Sequence, residues 1–282
     1  MKHQIGIMQG RLTPPKGRGI QFFPFENWQE EFRTARKLGL NEIEFIFDFE
    51  DYKQNPLWTT DGINKIKEIR AETGIQINAV CFDYFMRRAF FKEEDAQQVK
   101  IMEENTQIIK TILESMKQLQ IRLLEIPLVD ASSLKSDKHK AAFREWLLKI
   151  IDYADETINI ALETDLSPKD FKEYLNLFNH PRVGANYDSG NSSGLGYDLY
   201  EEVTTLRDYI FNIHIKDRVY QGTTVSLGTG SAEFDRLFQG LSEIKYKHGF
   251  ILQAARGIEG EEQDNIAAQM EFVSQYIQKY NI

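Results

Sequence analysis

The chain has very little cysteine and no long apolar run. Its 282 residues include one cysteine, Cys81, so no disulfide can form within the chain and nothing argues for an oxidising compartment. No stretch approaches the roughly 20 apolar residues of a membrane-spanning helix. A secretory signal is not expected, because Arg11 and the pair Pro14 and Pro15 interrupt any apolar segment near the start. We therefore expect a cytoplasmic protein that does not bind a membrane.

Basic residues are also outnumbered. Lysine and arginine total 34 against 43 aspartates and glutamates, which gives a formal net charge of −9. This balance argues against broad binding to nucleic acid or to an anionic membrane surface. It is compatible with a small anionic ligand that is held by a few arginines.

The sequence does contain a regular alternation of two kinds of segment. Eight short apolar runs, rich in β-branched and aromatic residues, alternate with eight long amphipathic segments, which predicts parallel βαβ units. Eight such units predict a single-domain (β/α)8 TIM barrel over residues 1–282. An open doubly wound sheet is the alternative, but residues 9–14 lack its glycine-rich first turn. The predicted strands are 4–8, 42–47, 76–81, 122–126, 159–163, 183–187, 210–215 and 250–253; the predicted helices are 28–38, 62–72, 96–119, 138–157, 168–178, 198–208, 233–246 and 261–280.

Polar side chains fall at the carboxyl ends of four successive predicted strands, where active sites of such barrels lie. Glu163 ends the fifth strand, Asp188 follows the sixth, His214 lies on the polar face of the seventh and Gln253 ends the eighth. Carboxylate and imidazole groups are good ligands for a divalent metal ion, and the amide oxygen is a weaker one. Each residue could instead simply cap its strand. A buried charged cluster needs a compensating partner, however, and a metal ion is a natural one.

Three segments resemble successive motifs of one superfamily, and a fourth resembles the glycine loop that follows strand seven in it. They are residues 162–165 (LETD), 186–191 (NYDSGN), 212–218 (NIHIKDR) and 225–234 (VSLGTGSAEF). They resemble the xylose-isomerase-like TIM barrels, which include sugar and sugar-phosphate isomerases and epimerases and, more distantly, nucleases of the endonuclease IV type. The pattern is most similar to the ketopentose-5-phosphate 3-epimerase and hexulose-6-phosphate isomerase branch.

The resemblance implies a metal site and a reaction. Glu163, Asp188, His214 and Gln253 would bind one divalent ion, which could be Mn, Zn, Co, Fe or Mg. Glu163 and Gln253 occupy the positions of the acid–base pair that moves protons on a ketose through an ene-diolate. Family members usually have glutamate at the position of Gln253, and a glutamine cannot carry a proton at neutral pH. Isomerisation, which needs only one base, is then the chemically simpler reaction. Epimerisation needs a substitute acid such as Glu44, Glu125, Asp217 or water.

Several polar residues near the strand ends are predicted to bind the substrate, a small sugar or sugar phosphate. Guanidinium groups suit phosphates and carboxylates, and barrels often bind phosphate in the loops after strands seven and eight. The predicted substrate-binding residues are Arg11, Asn191, Lys216, Asp217, Arg218 and Arg256. Residues 83–91, which are rich in aromatics, are a candidate lid or sugar-stacking wall; burial under the next helix or a contact between copies in a homo-oligomer is the alternative.

Two other functions compete with a sugar isomerase or epimerase. A metal-dependent nuclease of the same superfamily would need several histidines in its site, but only His214 of the five is placed at the carboxyl end of a strand. The net charge also disfavours DNA. A degenerate, non-catalytic sugar-binding barrel is suggested by Gln253, and turnover of a panel of ketoses would distinguish it from an enzyme.

Overall fold

A computed structural model describes residues 4–88, 96–134 and 136–282 and confirms the predicted closed barrel of eight parallel strands. The barrel strands are β1 (Ile5–Met8), β2 (Glu42–Ile46), β3 (Ala79–Cys81), β4 (Leu123–Leu128), β5 (Asn159–Thr164), β6 (Val183–Asp188), β7 (Ile210–Ile215) and β10 (Phe250–Leu252). They close in the order β1-β10-β7-β6-β5-β4-β3-β2. β8 (Asp217–Arg218) and β9 (Thr224–Val225) form a separate antiparallel hairpin just beyond β7.

Helices connect the strands and surround the barrel. They are α1 (Trp28–Leu38), α2 (Thr60–Thr73), α3 (Tyr84–Arg87), α4 (Ala96–Leu119), α5 (Asp137–Tyr153), α6 (Pro168–Phe178), α7 (Ser189–Leu195), α8 (Leu199–Leu206), α9 (Phe234–Glu243) and α10 (Glu262–Tyr280). The short helices α3 and α7 were not predicted. Each begins within a few residues of a barrel strand, so both lie at the carboxyl end of the barrel. In the described part of the chain, no helix is both long enough and apolar enough to cross a bilayer.

Local chemistry explains where the helices begin and end. Ser167 begins α6, because its hydroxyl accepts a hydrogen bond from Asp170 N at 3.2 Å and Pro168 follows at the first helical position. Gly39 ends α1 with a φ of 81°, a conformation that favours glycine. α5 ends before the predicted residue 157, because the Asp155 side chain accepts a hydrogen bond from Thr157 N at 3.0 Å and forms a turn there.

Strand parity separates an apolar layer from a polar lumen. Ile213 and Ile215 of β7 join the main apolar core, whereas Asn212 and His214 bond to Glu44 of β2. Since β7 and β2 are not neighbours in the barrel, these bonds must cross its lumen. The lumen also holds a small apolar cluster formed by Met8, Ile46, Cys81 and Ile251. The fold therefore places buried polar groups in the interior of the barrel, below its carboxyl end.

Candidate active site

A cavity of about 350 Å³ opens at the carboxyl end of the barrel. Glu163, Lys216 and Gln253 line one part of its wall, and Asp83 and Glu125 line another. A larger cavity of about 690 Å³ lies at the opposite end and is lined by residues such as Gln4, Glu42 and His248. Active sites of barrels lie at the carboxyl end, and the predicted polar residues converge there. The smaller cavity, called the mouth cavity below, is therefore the candidate site.

Three of the four predicted metal ligands come together beside the mouth cavity. One ligand atom from each of Glu163, Asp188 and His214 lies within 4.8 Å of the other two, and all three residues are buried. Glu163 Oε2 is 3.4 Å from His214 Nδ1. Two carboxylates and an imidazole are a donor set that suits a borderline divalent metal ion. The arrangement fits a single cation held between β5, β6 and β7.

Two asparagines hold the Glu163 carboxylate in place. Asn186 Nδ2 donates to Glu163 Oε2 at 2.7 Å, and Asn191 Nδ2 donates to Glu163 Oε1 at 2.5 Å. Asn186 Nδ2 also lies 3.1 Å from His214 Nδ1. Because both oxygens of Glu163 are oriented by amide donors, the carboxylate faces the mouth cavity in one defined orientation.

The two oxygens of Asp188 have different partners. Oδ1 accepts hydrogen bonds from the backbone N–H groups of Gly190 and Asn191, both at 2.8 Å, and thereby caps the start of α7. Oδ2 faces the Lys216 ammonium group at 3.1 Å. One oxygen therefore maintains the local backbone, while the other is directed to a positive charge.

Three side-chain oxygens surround the Lys216 ammonium group. Its Nζ lies 3.1 Å from Asp188 Oδ2, 3.1 Å from Asn191 Oδ1 and 3.4 Å from Gln253 Oε1. Gly190 makes room for the lysine stem, because a Cβ there would lie 2.5 Å from Lys216 Cγ. The oxygens of Asp188 and Gln253 thus converge on a positive charge, which Lys216 supplies in this structure.

Glu44 binds the far side of the His214 ring. His214 Nε2 lies 2.8 Å from Glu44 Oε1, and Asn212 Nδ2 donates to Glu44 Oε2 at 2.7 Å. Burial of His214 opposes its protonation, but the carboxylates of Glu44 and Glu163 outweigh that effect and raise its pKa. Glu44, predicted only as a possible substitute acid, lies behind a predicted metal ligand in the structure.

Glu125 and Cys81 lie together in the wall of the mouth cavity. Neither oxygen of Glu125 has a nitrogen or oxygen hydrogen-bond partner among the described residues. Burial, together with the nearby Glu163 carboxylate, raises the pKa of Glu125 well above its ordinary value. Burial also raises the pKa of the Cys81 thiol. The side chain of Glu125 therefore points inward, into the wall of the candidate site.

Asp83 is a cavity residue that sequence analysis did not single out. It lies two residues after the lumen-facing Cys81 and thus shares its parity, which is the sequence signal that could have found it. Its side chain does not cap α3, which it precedes. Burial, and then the neighbouring carboxylate of Asp48, raise the pKa of Asp83 to about 6, while a hydrogen bond from Gln21 opposes the shift.

Three of the six predicted substrate-binding residues line the mouth cavity, namely Asn191, Lys216 and Arg218. Arg218 Nη1 donates to Asn191 Oδ1 at 3.2 Å, and its Nη2 donates to Gly222 O at 2.8 Å. These contacts place the guanidinium group at the rim formed by the hairpin β8–β9.

The other three predicted substrate-binding residues have structural partners instead. The two carboxylate oxygens of Asp217 accept from Gly230 N at 2.9 Å and Ala232 N at 3.0 Å. Arg256 donates to the carbonyl oxygens of Gly10, Thr13 and Ile20. Arg11 is buried and donates to the carbonyl oxygens of Ile20 and Gln253. These contacts give all three side chains a role in holding loops together, and their direct contact with the substrate stays a prediction.

The aromatic segment after β3 is mostly buried rather than open to the cavity. Tyr84 and Phe85 are 2% and 0% exposed, and the Tyr84 ring packs against Phe47 and Phe82. Among residues 83–88, Asp83, Met86 and Arg87 line the mouth cavity. For Tyr84 and Phe85 the structure therefore favours the alternative of burial over an aromatic wall, and residues 89–91 lie outside the described residues.

Comparisons with known proteins agree with the geometry. A family model described as a xylose isomerase-like TIM barrel matches residues 32–276. A curated protein of Haemophilus influenzae, provisionally named an L-ribulose-5-phosphate 3-epimerase, is 25% identical over 268 residues, with 89% of this chain and 88% of that protein covered.

Solved structures share the fold at lower identity. The IolI protein with a bound zinc atom superposes with a TM-score of 0.74 at 18% identity, over 98% of this chain and 99% of that one. D-Psicose 3-epimerase from Clostridium cellulolyticum, solved with D-tagatose, gives a TM-score of 0.75 at 12% identity, over 97% of this chain and 99% of that one. The barrel, its polar carboxyl end and the matched family model together establish that this chain belongs to the xylose isomerase-like TIM barrel family.

Proposed function

We propose that this protein is a metal-dependent sugar epimerase or isomerase that acts on a small ketose or ketose phosphate. The observation that carries the proposal is the convergence of Glu163, Asp188 and His214 at the mouth cavity. The curated relative named as a 3-epimerase supports this reaction class. Between the two reactions we favour 3-epimerisation.

One divalent ion would be held by Glu163, Asp188 and His214, with the amide oxygen of Gln253 as a weaker fourth ligand. When bound, such an ion supplies Lewis-acid stabilisation of the negative charge that develops on the sugar oxygens during proton abstraction. The mixed carboxylate and imidazole donors favour Mn, Zn, Co or Fe over Mg. The zinc atom in the IolI structure is consistent with this choice.

Glu163 would act as the base that removes the proton next to the ketose carbonyl. Its carboxylate faces the mouth cavity, and Asn186 and Asn191 hold both of its oxygens. A base that is already oriented loses little freedom on reaching the reaction geometry, which favours proton transfer. The amide groups would thus act as positioning residues for this base.

Lys216, Asn191 and Arg218 would orient the substrate. They form a connected polar row from the centre of the site to its rim, because Asn191 Oδ1 accepts from both Lys216 Nζ at 3.1 Å and Arg218 Nη1 at 3.2 Å. Hydroxyl groups of the sugar suit the inner part of the row. A terminal phosphate suits the outer guanidinium, as the name of the curated relative also suggests.

A non-catalytic sugar-binding barrel is the competing function, and Gln253 is the residue that favours it. Such a protein needs no oriented base. The paired amide donors on Glu163 therefore support the enzyme over the binding protein.

The test uses purified protein that has been stripped of metal and reloaded with Mn²⁺, Co²⁺ or Zn²⁺. Ketoses and ketose 5- or 6-phosphates are incubated with it in D₂O, and NMR follows epimer formation and deuterium incorporation at each carbon. Metal-dependent turnover of one substrate is the expected result. Tight sugar binding without turnover or exchange would establish the binding protein instead.

Metal occupancy is the second readout. Asp188→Asn and His214→Ala should lower the occupancy below one ion per chain. Asp198→Asn is the matched control, because Asp198 caps α8 as Asp188 caps α7 but lies outside the site. Unchanged occupancy in the Asp188 and His214 variants would overturn the proposed metal site.

A further inference from the structure

Epimerisation requires proton groups on both faces of the reacting carbon. One group removes the proton from one face, and a second group delivers a proton to the opposite face. Glu163 can serve as one of them, but Gln253, which occupies the position of the usual second group, cannot carry a proton. The proposed function therefore needs another acid in the wall of the mouth cavity.

The described wall contains three acidic side chains besides Glu163, namely Asp83, Glu125 and Asp130. Glu125 lies on β4, which is the direct neighbour of the strand that carries Glu163, so both groups stand on the same side of the barrel. Asp130 is exposed at the rim. Asp83 follows β3, one strand further round the barrel from Glu163 than Glu125.

A chain of hydrogen bonds links Asp83 to the position of the usual second acid. Gln253 Nε2 donates to Gln21 Oε1 at 3.0 Å. The Gln21 side chain in turn hydrogen-bonds to Asp83. Gln21 belongs to the loop between β1 and α1, and β1 lies beside β10 in the barrel. Asp83, Gln21 and Gln253 therefore form one continuous row of hydrogen-bonded side chains, whereas the Glu163 carboxylate accepts hydrogen bonds from Asn186 and Asn191.

The surroundings of Asp83 suit proton transfer. Its carboxyl is half-buried, opens into the cavity and caps no helix. Its pKa, raised to about 6 by burial and by the Asp48 carboxylate, leaves both the protonated and the ionised form populated near neutrality. A group that can both give and take a proton at the working pH is what an acid–base pair requires.

We infer that Asp83 is the second catalytic acid–base group, which acts on the face of the substrate opposite Glu163. In one direction, the C–H bond at the reacting carbon breaks and its proton passes to Glu163, leaving an ene-diolate. The protonated Asp83 then gives its proton to the other face, and a new C–H bond forms with inverted configuration. Exchange with solvent returns both carboxyl groups to their starting protonation states. The inference depends on the proposed epimerase function.

The test compares the two epimers of the substrate separately in D₂O. Wild type should convert each into the other and incorporate deuterium at the inverted carbon. In Asp83→Asn, epimer formation should fall by about 100-fold or more. The epimer whose proton faces Glu163 should still exchange that proton for deuterium without inversion, whereas the other epimer should not exchange.

Control variants separate a catalytic role from a structural one. Asp83→Glu should keep part of the epimerase activity, and Asp83→Asn should keep the wild-type metal affinity and melting temperature. Asp48→Asn removes the neighbouring buried carboxyl, which does not line the mouth cavity. It should preserve inversion but lower the pKa of Asp83, so the pH profile of inversion should move to lower pH. Glu125→Gln should also preserve inversion.

Inversion at the wild-type rate in Asp83→Asn would overturn the inference while leaving the proposed function intact. One-sided exchange in Glu125→Gln would then give the role to Glu125. A wild type that neither inverts nor exchanges any ketose would overturn the proposed function and the inference together.

Discussion

His214 Nε2 lies 2.8 Å from Glu44 Oε1 across the lumen of the barrel, and neither side chain is exposed. An ionised carboxylate only accepts hydrogen bonds, so Glu44 places a proton on Nε2. Nδ1 then faces Glu163 and Asn186. Histidines that bind metal ions commonly have such a carboxylate on the other ring nitrogen, which sets the tautomer and the ring orientation. Glu44 is therefore a positioning residue for the proposed metal site.

Loss of the Glu44 carboxylate should weaken metal binding. We expect Glu44→Gln to lower the affinity for Mn²⁺ or Zn²⁺ by about 10- to 100-fold, because the amide can donate to Nε2 and stabilise the wrong tautomer. Calorimetry on metal-free protein measures the change. Glu42→Gln is the matched control, since Glu42 lies on the same strand but bonds to Asn78 at the opposite end. An affinity equal to that of wild type in Glu44→Gln would contradict the role of Glu44.

The strand alternation was enough to predict the barrel and the three residues that meet at its carboxyl end. Parity within β6 and β7 placed Asp188 and His214 on the lumen side, because successive side chains of a strand point to opposite faces. It could not show that His214 meets Glu44, since that contact depends on how non-neighbouring strands face each other after closure. Contacts across the lumen therefore cannot be predicted from the periodicity of single strands.

Loop residues were harder to assign, for a related reason. Arg256 was predicted to bind an anion, but the loop after β1 turns back and presents three carbonyl oxygens to it. Gly10 permits that turn: its φ is 83°, and a Cβ there would collide with the carbonyl oxygen of Phe22. Asp83 was missed because the predicted third strand ends at Cys81, so the parity that the two residues share extends beyond the strand to the start of a four-residue helix. These features depend on irregular backbone, which sequence patterns describe poorly.

Arg218 and Arg256 should behave differently if the substrate carries a phosphate. Arg218→Ala should raise KM for the phosphorylated ketose about tenfold to 150-fold more than for the free ketose, because a charge-assisted hydrogen bond is lost. Steady-state kinetics on both substrates measure the ratio. Equal increases in KM for the two substrates would indicate that the natural substrate is a free sugar.

Arg256→Met serves as the control for that experiment and tests the structural role of Arg256. Its guanidinium donates to three backbone carbonyls and lies over the Phe22 ring. Its loss should destabilise the fold by about 2–4 kcal/mol, because buried acceptors would be left unpaired. The KM ratio between phosphorylated and free ketose should stay unchanged.

Glu42 should make the stability of the protein depend on pH. Burial, opposed by a hydrogen bond from Asn78, raises its pKa to about 7. A raised carboxyl pKa means that the folded state binds the proton more tightly than the unfolded state, so stability falls as pH rises from the unfolded pKa to the folded one. Between about pH 5 and pH 8, the free energy of unfolding of wild type should fall by up to about 3 kcal/mol relative to that of Glu42→Gln. Urea unfolding of both proteins at each pH measures the difference, and parallel pH profiles would disprove it.

A glutamate at position 253 should strengthen the metal site and provide a second acid. Gln253 Oε1 already lies 3.4 Å from Lys216 Nζ, among the oxygens that surround a cation. A carboxylate there adds a negative charge, so Gln253→Glu should tighten metal binding by about 1 kcal/mol, or roughly fivefold in Kd. Calorimetry on the metal-free variant checks this change.

The same substitution should rescue epimerisation when Asp83 has been removed. Asp83→Asn alone should exchange one proton without inversion. Asp83→Asn combined with Gln253→Glu should invert the carbon again. The introduced carboxyl can donate a proton from the wall that positions 253 and 83 share through Gln21. NMR of both epimers in D₂O measures inversion in the single and double variants. Gln253→Asp is the control, since its shorter side chain carries the same charge but reaches less far. Inversion that stays as low in the double variant as in the Asp83→Asn single variant would mean that a glutamate at position 253 cannot replace Asp83.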